Sequence, residues 1–266
     1  MPHLIKRKER LAKDHYLMEL FAPEVARNYQ PGQFIVLRVD ERGERIPLTV
    51  TSTGKETIEL IFQVVGKSTR KLAALEAGSK VLDCVGPLGR PAEIARFGRV
   101  LCVGGGTGIG CIAPLVRALS SAGNDVTSVI GARSASMLML EDELGRSSTQ
   151  LLVATDDGSK GHRGFVTDIL RKLLSQAGFD RVIAIGPATM MKAVAEQTRA
   201  YKIPTFASLN TIMVDATGMC GSCRVFVDGK MKLTCTDGPM FDAHGLNFDD
   251  IISRSAMFRE KELHEN

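Results

Sequence analysis

The sequence has no long hydrophobic run and no block of charge of one sign. The basic stretch at residues 1–16 is followed by no apolar segment, and the longest apolar runs are too short to cross a bilayer. The 34 basic and 30 acidic residues are well mixed and leave a formal net charge of +4. These absences argue against a membrane span and a nucleic-acid partner, so we expect a cytoplasmic protein.

Cysteine is also scarce, and its six positions do not form the pattern of a disulfide framework. Three of them have the spacing of metal ligands, which suits a reducing compartment better than an oxidising one. The chain has 266 residues, of which 44% are hydrophobic and 24% are charged. This composition is typical of a globular protein, and the length allows two domains or slightly more.

One motif near the C-terminus indicates a metal cluster. Its spacing is D-x4-C-x2-C-x11-C, and its members are Asp215, Cys220, Cys223 and Cys235. A cysteine in place of the aspartate would give C-x4-C-x2-C, the spacing that binds a plant-type [2Fe–2S] cluster. Because a carboxylate supplies the same negative charge as a thiolate, the motif predicts a cluster held by three thiolates and one carboxylate. Such a cluster carries single electrons.

A structural zinc site is the alternative for this motif, because a C-x2-C pair is common in zinc knuckles. Zinc sites of that kind usually add a second pair with short spacing, whereas Cys235 stands alone, 12 residues after Cys223. The other three cysteines have no ligand spacing, and we expect them to be packed thiols. They are Cys84, Cys102 and Cys111.

Hydrophobic patterning divides the chain into three segments. Residues 1–97 contain short β-rich runs with turn signals between them, which predicts a β barrel. Residues 98–207 alternate apolar strands with amphipathic helices, which predicts an α/β domain with a parallel sheet. Residues 208–266 hold the cluster motif, a short β-like stretch and a charged tail with helical spacing. The expected fold class is therefore a β barrel plus α/β, with a small C-terminal subdomain.

A glycine-rich loop opens the second segment. The sequence GGGTGIG at 104–110 follows an apolar strand and precedes a helix. Its backbone N–H groups can hold a pyrophosphate, although the spacing is not G-x-G-x-x-G and a plain tight turn is the alternative. Arg133 ends the next strand, where it could bind a 2′-phosphate or remain a solvated charge.

Two short motifs in the first segment suit a second dinucleotide. RIPLT at 45–49 supplies an arginine and Thr49, whose hydroxyl or N–H can reach a flavin N5. GKST at 66–69 can open a helix and hold a phosphate. The alternatives are a plain strand for the first motif and a capped helix start for the second.

The order of the motifs resembles that of the ferredoxin reductase-like electron-transfer subunits over essentially the whole chain. The motifs are R-x-P-x-T, G-K-x-T, GGGTGI-x-x-x-AP, GP-x-x-MM and C-x2-C followed by C-x-DGP-x-F. Two groups are similar: the electron-transfer subunit of dihydroorotate dehydrogenase, and the small subunit of NADH-dependent ferredoxin:NADP oxidoreductase. The first group has cysteine where this chain has Asp215, so the resemblance favours the second.

The resemblance implies three cofactors and their contacts. FAD would bind the barrel, with Thr49 beside the reacting ring, through Arg45, Pro47, Leu48, Thr49, Gln63, Val64, Gly66, Ser68 and Thr69. NAD(H) or NADP(H), with NADH expected to be preferred, would bind at Gly105, Gly106, Thr107, Gly108, Ile109, Gly110, Arg133, Thr155, Asp156, Asp157, Gly158, Gly186, Pro187, Met190 and Met191. The [2Fe–2S] cluster would take the four ligands of the C-terminal motif. For the two methionines, a helix start with core side chains is the alternative.

The implied function is an electron-transfer flavoprotein subunit that exchanges hydride between NAD(H) and FAD. Electrons would leave through the cluster to a large partner with its own flavin and [4Fe–4S] clusters, which in the resembling complexes bifurcates electrons and reacts with ferredoxin. We expect a hetero-oligomer, with Ile251, Ile252, Met257 and Phe258 on a docking helix or covering their own domain. The other candidates are the dihydroorotate dehydrogenase subunit and a redox- or NAD-sensing module.

Overall fold

Antiparallel strands form the N-terminal part of the computed structural model, which describes residues 3–176 and 178–256. The elements are β1 (His3–Ala12), β2 (His15–Phe21), α1 (Pro23–Asn28), β3 (Phe34–Arg38), β4 (Arg45–Thr53), β5 (Thr57–Gln63), α2 (Lys67–Ala74), β6 (Lys80–Val81) and β7 (Asp83–Leu88). The seven strands have the order β6-β1-β2-β5-β4-β3-β7. Val81 lies on β6 at one edge of this sheet, and Leu37 lies on β3, next to β7 at the other edge. Both residues pack in one apolar core, so the sheet curves around that core as a barrel does.

Strands and helices alternate in the second part of the chain. The elements are β8 (Arg99–Gly105), α3 (Gly108–Ser121), β9 (Asp125–Ala132), α4 (Glu141–Ser147), β10 (Gln150–Thr155), β11 (His162–Arg163), α5 (Val166–Gln176), β12 (Arg181–Ile185), α6 (Ala188–Arg199) and β13 (Thr205–Ser208). The helices are amphipathic. In α5, for example, Ile169, Leu170 and Leu174 are buried while Arg171 and Lys172 are exposed, which is the spacing of a helix with one apolar face.

The third part contains β14 (Arg224–Val227), β15 (Lys230–Leu233), α7 (Thr234–Asp237), β16 (Met240–Asp242) and α8 (Phe248–Ala256). Strands β14 and β15 form a hairpin by themselves. Strand β16 instead pairs antiparallel with β13 and extends the second sheet. Phe248 and Ile251 of α8 pack in the core of that α/β unit. The segment after residue 208 is therefore joined structurally to the domain before it.

The second sheet has the order β11-β10-β9-β8-β12-β13-β16, and its first six strands run parallel. This confirms the predicted barrel followed by a parallel sheet. Strand β8 lies between β9 and β12, so the direction in which strands are added reverses there. In open parallel sheets, ligands bind at the carboxyl ends of the two strands that flank such a reversal.

Helix α8 shows that one part of the docking prediction was wrong. Ile251 is 5% exposed and packs in the α/β core, so it covers its own domain. Ile252 is partly exposed, and Met257 and Phe258, the other two residues of that prediction, lie outside the described residues. In the described part of the chain, no helix is both long enough and apolar enough to cross a membrane.

Candidate functional site

Strand β4 presents one face to the barrel core and the other away from it. Ile46 and Leu48 pack against the core. Because side chains alternate along a strand, Arg45, Pro47 and Thr49 share the opposite face. The predicted flavin contacts on this strand are therefore of two kinds. Leu48 can contribute only its backbone, whereas the other three can offer their side chains.

The predicted phosphate site at the start of α2 is partly used by the protein itself. The Thr69 hydroxyl accepts hydrogen bonds from the N–H groups of Val65 and Gly66, at 2.9 and 3.0 Å, and thus caps its own helix. The Ser68 hydroxyl donates to Glu44 at 2.9 Å. A Cβ placed on Gly66 would meet nothing within 4 Å, so the space in front of this helix is open. The space in front of the helix is therefore free of protein atoms at Gly66, while the Ser68 hydroxyl is occupied by Glu44.

The glycine loop and the end of β12 meet at the reversal point of the parallel sheet. A Cβ on Gly186 would lie 3.1 Å from the backbone N and O of Gly105, so the lack of a side chain at Gly186 allows the two strand ends to approach this closely. Gly106 has φ +56° and open space where a Cβ would be. The sulfur of Met190 would lie 2.5 Å from a Cβ on Gly105. The open space at this end of the sheet therefore lies in front of Gly106, next to the start of α3, a position suited to an anion.

The remaining residues of the loop serve packing more than contact with a ligand. A Cβ on Gly108 would collide with the carbonyl of Ile185, and one on Gly110 would lie 3.2 Å from Ile61 of the barrel. Ile109 is fully buried. Met191 is 2% exposed and packs in the α/β core, whereas Met190 is only partly buried. Met190, and not Met191, is thus the methionine beside the glycine loop.

The loops after β9 and β10 lie side by side at the same edge of the sheet. The N–H groups of Asp156 and Asp157 donate to Ala132 and Arg133. The Thr155 side chain is fully buried, and its hydroxyl is bonded to the backbone of Lys160, so it closes its own loop. A hydrogen bond from Ser159 holds the pKa of the Asp157 carboxyl below its usual value. Acidic and basic side chains both border this edge, because Arg133 is exposed beside the two aspartates.

The cluster motif is divided into a buried half and an exposed half. Cys223 and Cys235 are each 2% exposed, and their sulfur atoms are 3.3 Å apart. Cys220 is exposed. The Asp215 carboxylate accepts hydrogen bonds from the N–H groups of Thr217 and Cys220, at 2.8 and 2.6 Å. Across residues 3–176 and 178–256, no three His, Cys, Asp or Glu side chains converge on one point, so the structure brings together two of the four predicted ligands.

The chemistry of the two buried thiols fits an iron–sulfur cluster. Burial and the neighbouring Cys223 thiol raise the pKa of Cys235 to about 12. Two adjacent thiolates are therefore unfavourable unless a cation lies between them, and metal binding requires thiolates. Gly218 and Gly221 have φ of +91° and +69°, which lets the loop from Asp215 to Cys223 curl around an inorganic core.

Two barrel residues connect the flavin face to the buried cysteines. Phe34 pairs with Thr49 and Val36 pairs with Pro47 across strands β3 and β4, so each pair shares one face of the sheet. Phe34 and Val36 also pack in one apolar cluster with Cys223 and Cys235. The sequence analysis missed this pair of residues, because the strand pattern FIVLR indicates burial but not the partner, which lies almost 200 residues later.

Thr49 also faces the nucleotide-binding half. Burial raises the pKa of the Cys111 thiol on α3, and the neighbouring Thr49 hydroxyl lowers it. Burial likewise raises the pKa of Cys84 and Cys102 to about 12, as expected of packed thiols. Thr49 therefore lies where the barrel meets the helix that follows the glycine loop.

The chain is similar to known electron-transfer proteins along its whole length. A model of the iron–sulfur cluster binding domain of dihydroorotate dehydrogenase B matches residues 210–247. A dihydroorotate dehydrogenase B (NAD(+)) electron transfer subunit homolog from Thermotoga maritima is 45% identical, over 97% of this chain and 92% of that protein. A probable electron transfer subunit from Methanopyrus kandleri is 38% identical, over 82% of this chain and 81% of that protein.

Solved structures give the same result. A chain from a structure of NADH-dependent reduced ferredoxin-NADP oxidoreductase is 42% identical, with a TM-score of 0.95 over 99% of this chain and 96% of that one. A cytochrome P450 reductase from Amycolatopsis, 21% identical with a TM-score of 0.62 over 76% of this chain and 66% of that one, shares the fold. The resemblance inferred from the motifs and the ferredoxin reductase-like fold class are confirmed. The chain therefore belongs to the family of dihydroorotate dehydrogenase B electron transfer subunits and their homologues, which are subunits of oxidoreductases.

Proposed function

We propose that this chain exchanges hydride between NAD(H) and FAD and passes single electrons through a [2Fe–2S] cluster to a larger partner subunit, as part of an NADH-dependent ferredoxin:NADP oxidoreductase. FAD can take up a hydride and release electrons singly, which a cluster accepts one at a time. The match to the solved oxidoreductase chain supports this assignment most strongly, because it covers 99% of this chain at a TM-score of 0.95. Asp215 at the first ligand position supports it over the dihydroorotate dehydrogenase subunit.

The chain's own residues bind and orient the two dinucleotides. Arg45 and the open start of α2 hold the FAD pyrophosphate, and Thr49 lies beside the reacting ring. The open space in front of Gly106, next to the start of α3, holds the pyrophosphate of NAD(H). The Arg117 guanidinium of α3 donates a hydrogen bond to the carbonyl oxygen of Thr51 on β4, so β4 lies next to the helix that follows the glycine loop. This proximity suits hydride transfer, which requires the two rings to be in contact.

The path for electrons leads from the flavin face to the cluster segment. Phe34 and Val36 lie beside Thr49 and Pro47 on one face of the barrel and pack in one apolar cluster with Cys223 and Cys235, so they connect the flavin face to the cluster segment. All four members of the cluster motif, Asp215, Cys220, Cys223 and Cys235, are the proposed ligands.

An anaerobic preparation of the chain tests the cofactor assignment. We expect bound FAD, iron and sulfide in the stoichiometry of a [2Fe–2S] cluster, and a rhombic EPR signal after reduction. Zinc in place of iron would contradict the assignment. In stopped-flow mixing, NADH should reduce the flavin faster than NADPH does. A roughly tenfold advantage for NADPH, or about 1.4 kcal/mol at the transition state, would reverse the preference and assign Arg133 to a 2′-phosphate.

The exposed apolar side chains around the cluster motif suit a protein interface. Of the eight large hydrophobic residues that are exposed in the described part of the chain, four lie between residues 212 and 231. They are Ile212, Val214, Met219 and Met231, which are 39%, 59%, 88% and 60% exposed. We assign this surface to the larger subunit with its flavin and [4Fe–4S] clusters, because a cluster transfers electrons onward only to an acceptor that can approach it.

A charge placed on this surface tests the assignment. Met231→Glu should weaken copurification with the co-expressed large subunit while NADH still reduces the flavin at the wild-type rate. Tyr201→Glu is a matched control. Tyr201 is 50% exposed, and it follows α6 in the α/β unit, outside the cluster segment. Equal binding by the two variants would contradict the proposed interface.

A further inference from the structure

A buried histidine lies where the barrel meets the glycine loop. His15 is 1% exposed, and it pairs with Gln63 across strands β2 and β5. Both side chains reach the same hydroxyl of the α/β unit. The Thr107 Oγ1 atom is 3.4 Å from His15 Nε2 and 3.2 Å from Gln63 Oε1. A single hydroxyl of the glycine loop is therefore enclosed by two polar side chains of the barrel.

The hydrogen-bond inventory of these groups fixes their orientation. His15 Nδ1 is 2.7 Å from the carbonyl oxygen of Lys13, so Nδ1 must carry a proton and donate it. The Nε2 atom then faces Thr107 with a lone pair and needs a donor. Thr107 has one hydroxyl proton and cannot donate it to both His15 and Gln63. A buried acceptor without a donor is destabilising, so the hydroxyl proton belongs to His15.

Flipping the Gln63 side-chain amide gives every group in this set a hydrogen-bond partner. Rotation by about 180° exchanges its oxygen and nitrogen with almost no change in shape. The amide N–H then donates to Thr107 Oγ1, Thr107 donates to His15 Nε2, and His15 Nδ1 donates to Lys13. Each donated proton in these three hydrogen bonds then has an acceptor.

We propose that Gln63, Thr107 and His15 form an interdomain bridge, a directed chain of hydrogen bonds that positions the glycine loop on the barrel. The bridge rests on the proposed function, because it gives the Thr107 hydroxyl a role in positioning the nucleotide loop and not in contacting the nucleotide. Packing beside it supports the same role: Leu17 and Ile61 of the barrel belong to the apolar core of the α/β unit. His15 is thus a positioning residue, and the motif analysis gave no signal for it.

The bridge would help nucleotide binding by ordering the loop in advance. Gly105 and Gly106 give this loop backbone freedom, and any freedom left in the unbound protein must be lost when a pyrophosphate binds. Hydrogen bonds from the barrel remove part of that freedom beforehand. Removing the Thr107 hydroxyl should therefore weaken NADH binding about fivefold, the effect of one lost hydrogen bond.

Nitrogen NMR of the FAD-loaded protein tests the bridge without an activity assay. With labelled histidine, His15 should show a proton on Nδ1 and a hydrogen-bonded lone pair on Nε2. Thr107→Val should shift the Nε2 resonance, whereas Thr107→Ser and the exposed control Thr53→Val should not. A proton found on Nε2 of His15 in the wild-type protein would overturn the proposal, even if Thr107→Val failed to fold.

Binding measurements test the functional consequence. In flavin-reduction titrations, Thr107→Val should raise the Kd for NADH about fivefold, and Thr107→Ser should restore it. An unchanged Kd in Thr107→Val, or a defect that the serine variant retains, would overturn the positioning role. Failure of the wild-type flavin to accept electrons from NADH would instead contradict the proposed function, while the NMR result would still decide whether the bridge exists.

Discussion

At the scale of single residues, Asp215 has two roles, loop closure and proposed ligation of the cluster, and substitutions can distinguish them. Its carboxylate closes the loop by accepting the N–H groups of Thr217 and Cys220. As the proposed fourth ligand it must also supply negative charge to the cluster. Because the two N–H groups bond to different carboxylate oxygens, an asparagine could accept only one of them, and it would not be anionic.

Three substitutions at Asp215 distinguish these duties. We expect Asp215→Cys to keep the cluster with a shifted reduction potential, and Asp215→Ala to lose iron or to hold it weakly. Asp215→Asn should lose iron like the alanine variant if the residue is a ligand, and should hold iron better than the alanine variant if it only closes the loop, because it keeps one of the two hydrogen bonds. Iron content after gel filtration and the EPR spectrum measure the difference. Full iron and an unchanged spectrum in the alanine variant would exclude Asp215 as a ligand.

The sequence predicted which residues occur in each motif better than it predicted where their side chains point. Thr69, Thr155 and Met191 occur in the expected motifs, yet their side chains serve a helix cap, a loop closure and the core. A sequence motif reports which groups are near a site, while hydrogen bonds and packing decide where each group points. His15 was not predicted at all, because its partner Thr107 is 92 residues away in the sequence.

At the scale of elements, helix α8 supports the cluster loop. The Arg254 guanidinium donates to the carbonyl oxygens of Ser222 and Arg224, at 2.7 and 2.5 Å. These carbonyls flank Cys223, so the helix holds the backbone on both sides of a proposed ligand. Deleting residues 249–266 would therefore disturb the cluster segment itself and is a poor test of partner docking.

Substituting Arg254 measures this support. Arg254→Met keeps much of the side-chain stem but loses both charge-assisted hydrogen bonds, and we expect the free energy of unfolding to fall by about 1–2 kcal/mol. Iron should also be lost faster to a chelator. Arg171→Met on α5 is the matched control, because Arg171 is 70% exposed and makes only a surface ion pair. Equal iron loss from the two variants would show that the contact from α8 does not stabilise the cluster loop.

At the scale of the whole molecule, the third segment joins the two larger parts. Strand β16 extends the α/β sheet, while Cys223 and Cys235 pack on the barrel. Short β-rich runs with turn signals predicted the barrel, and the alternation of strands and helices predicted the α/β unit, since hydrophobic periodicity is a local signal. Hydrophobic periodicity could not predict that residues 240–242 pair with β13, because the pairing of strands that are separated by more than 30 residues depends on the assembled fold. The boundary at residue 208 remains a prediction.

The contact between barrel and cluster segment should govern both stability and cluster lifetime. Phe34 is 5% exposed and packs against the buried cysteines, so Phe34→Ala should lower the free energy of unfolding by about 3–5 kcal/mol and admit water beside the cluster. Phe165→Ala is the matched control, because Phe165 is 62% exposed. Urea unfolding and the decay of the EPR signal in air measure the two effects. A protein that is destabilised but keeps its cluster as long as the wild type would show that Phe34 stabilises only the barrel, and that water reaches the cluster by another side.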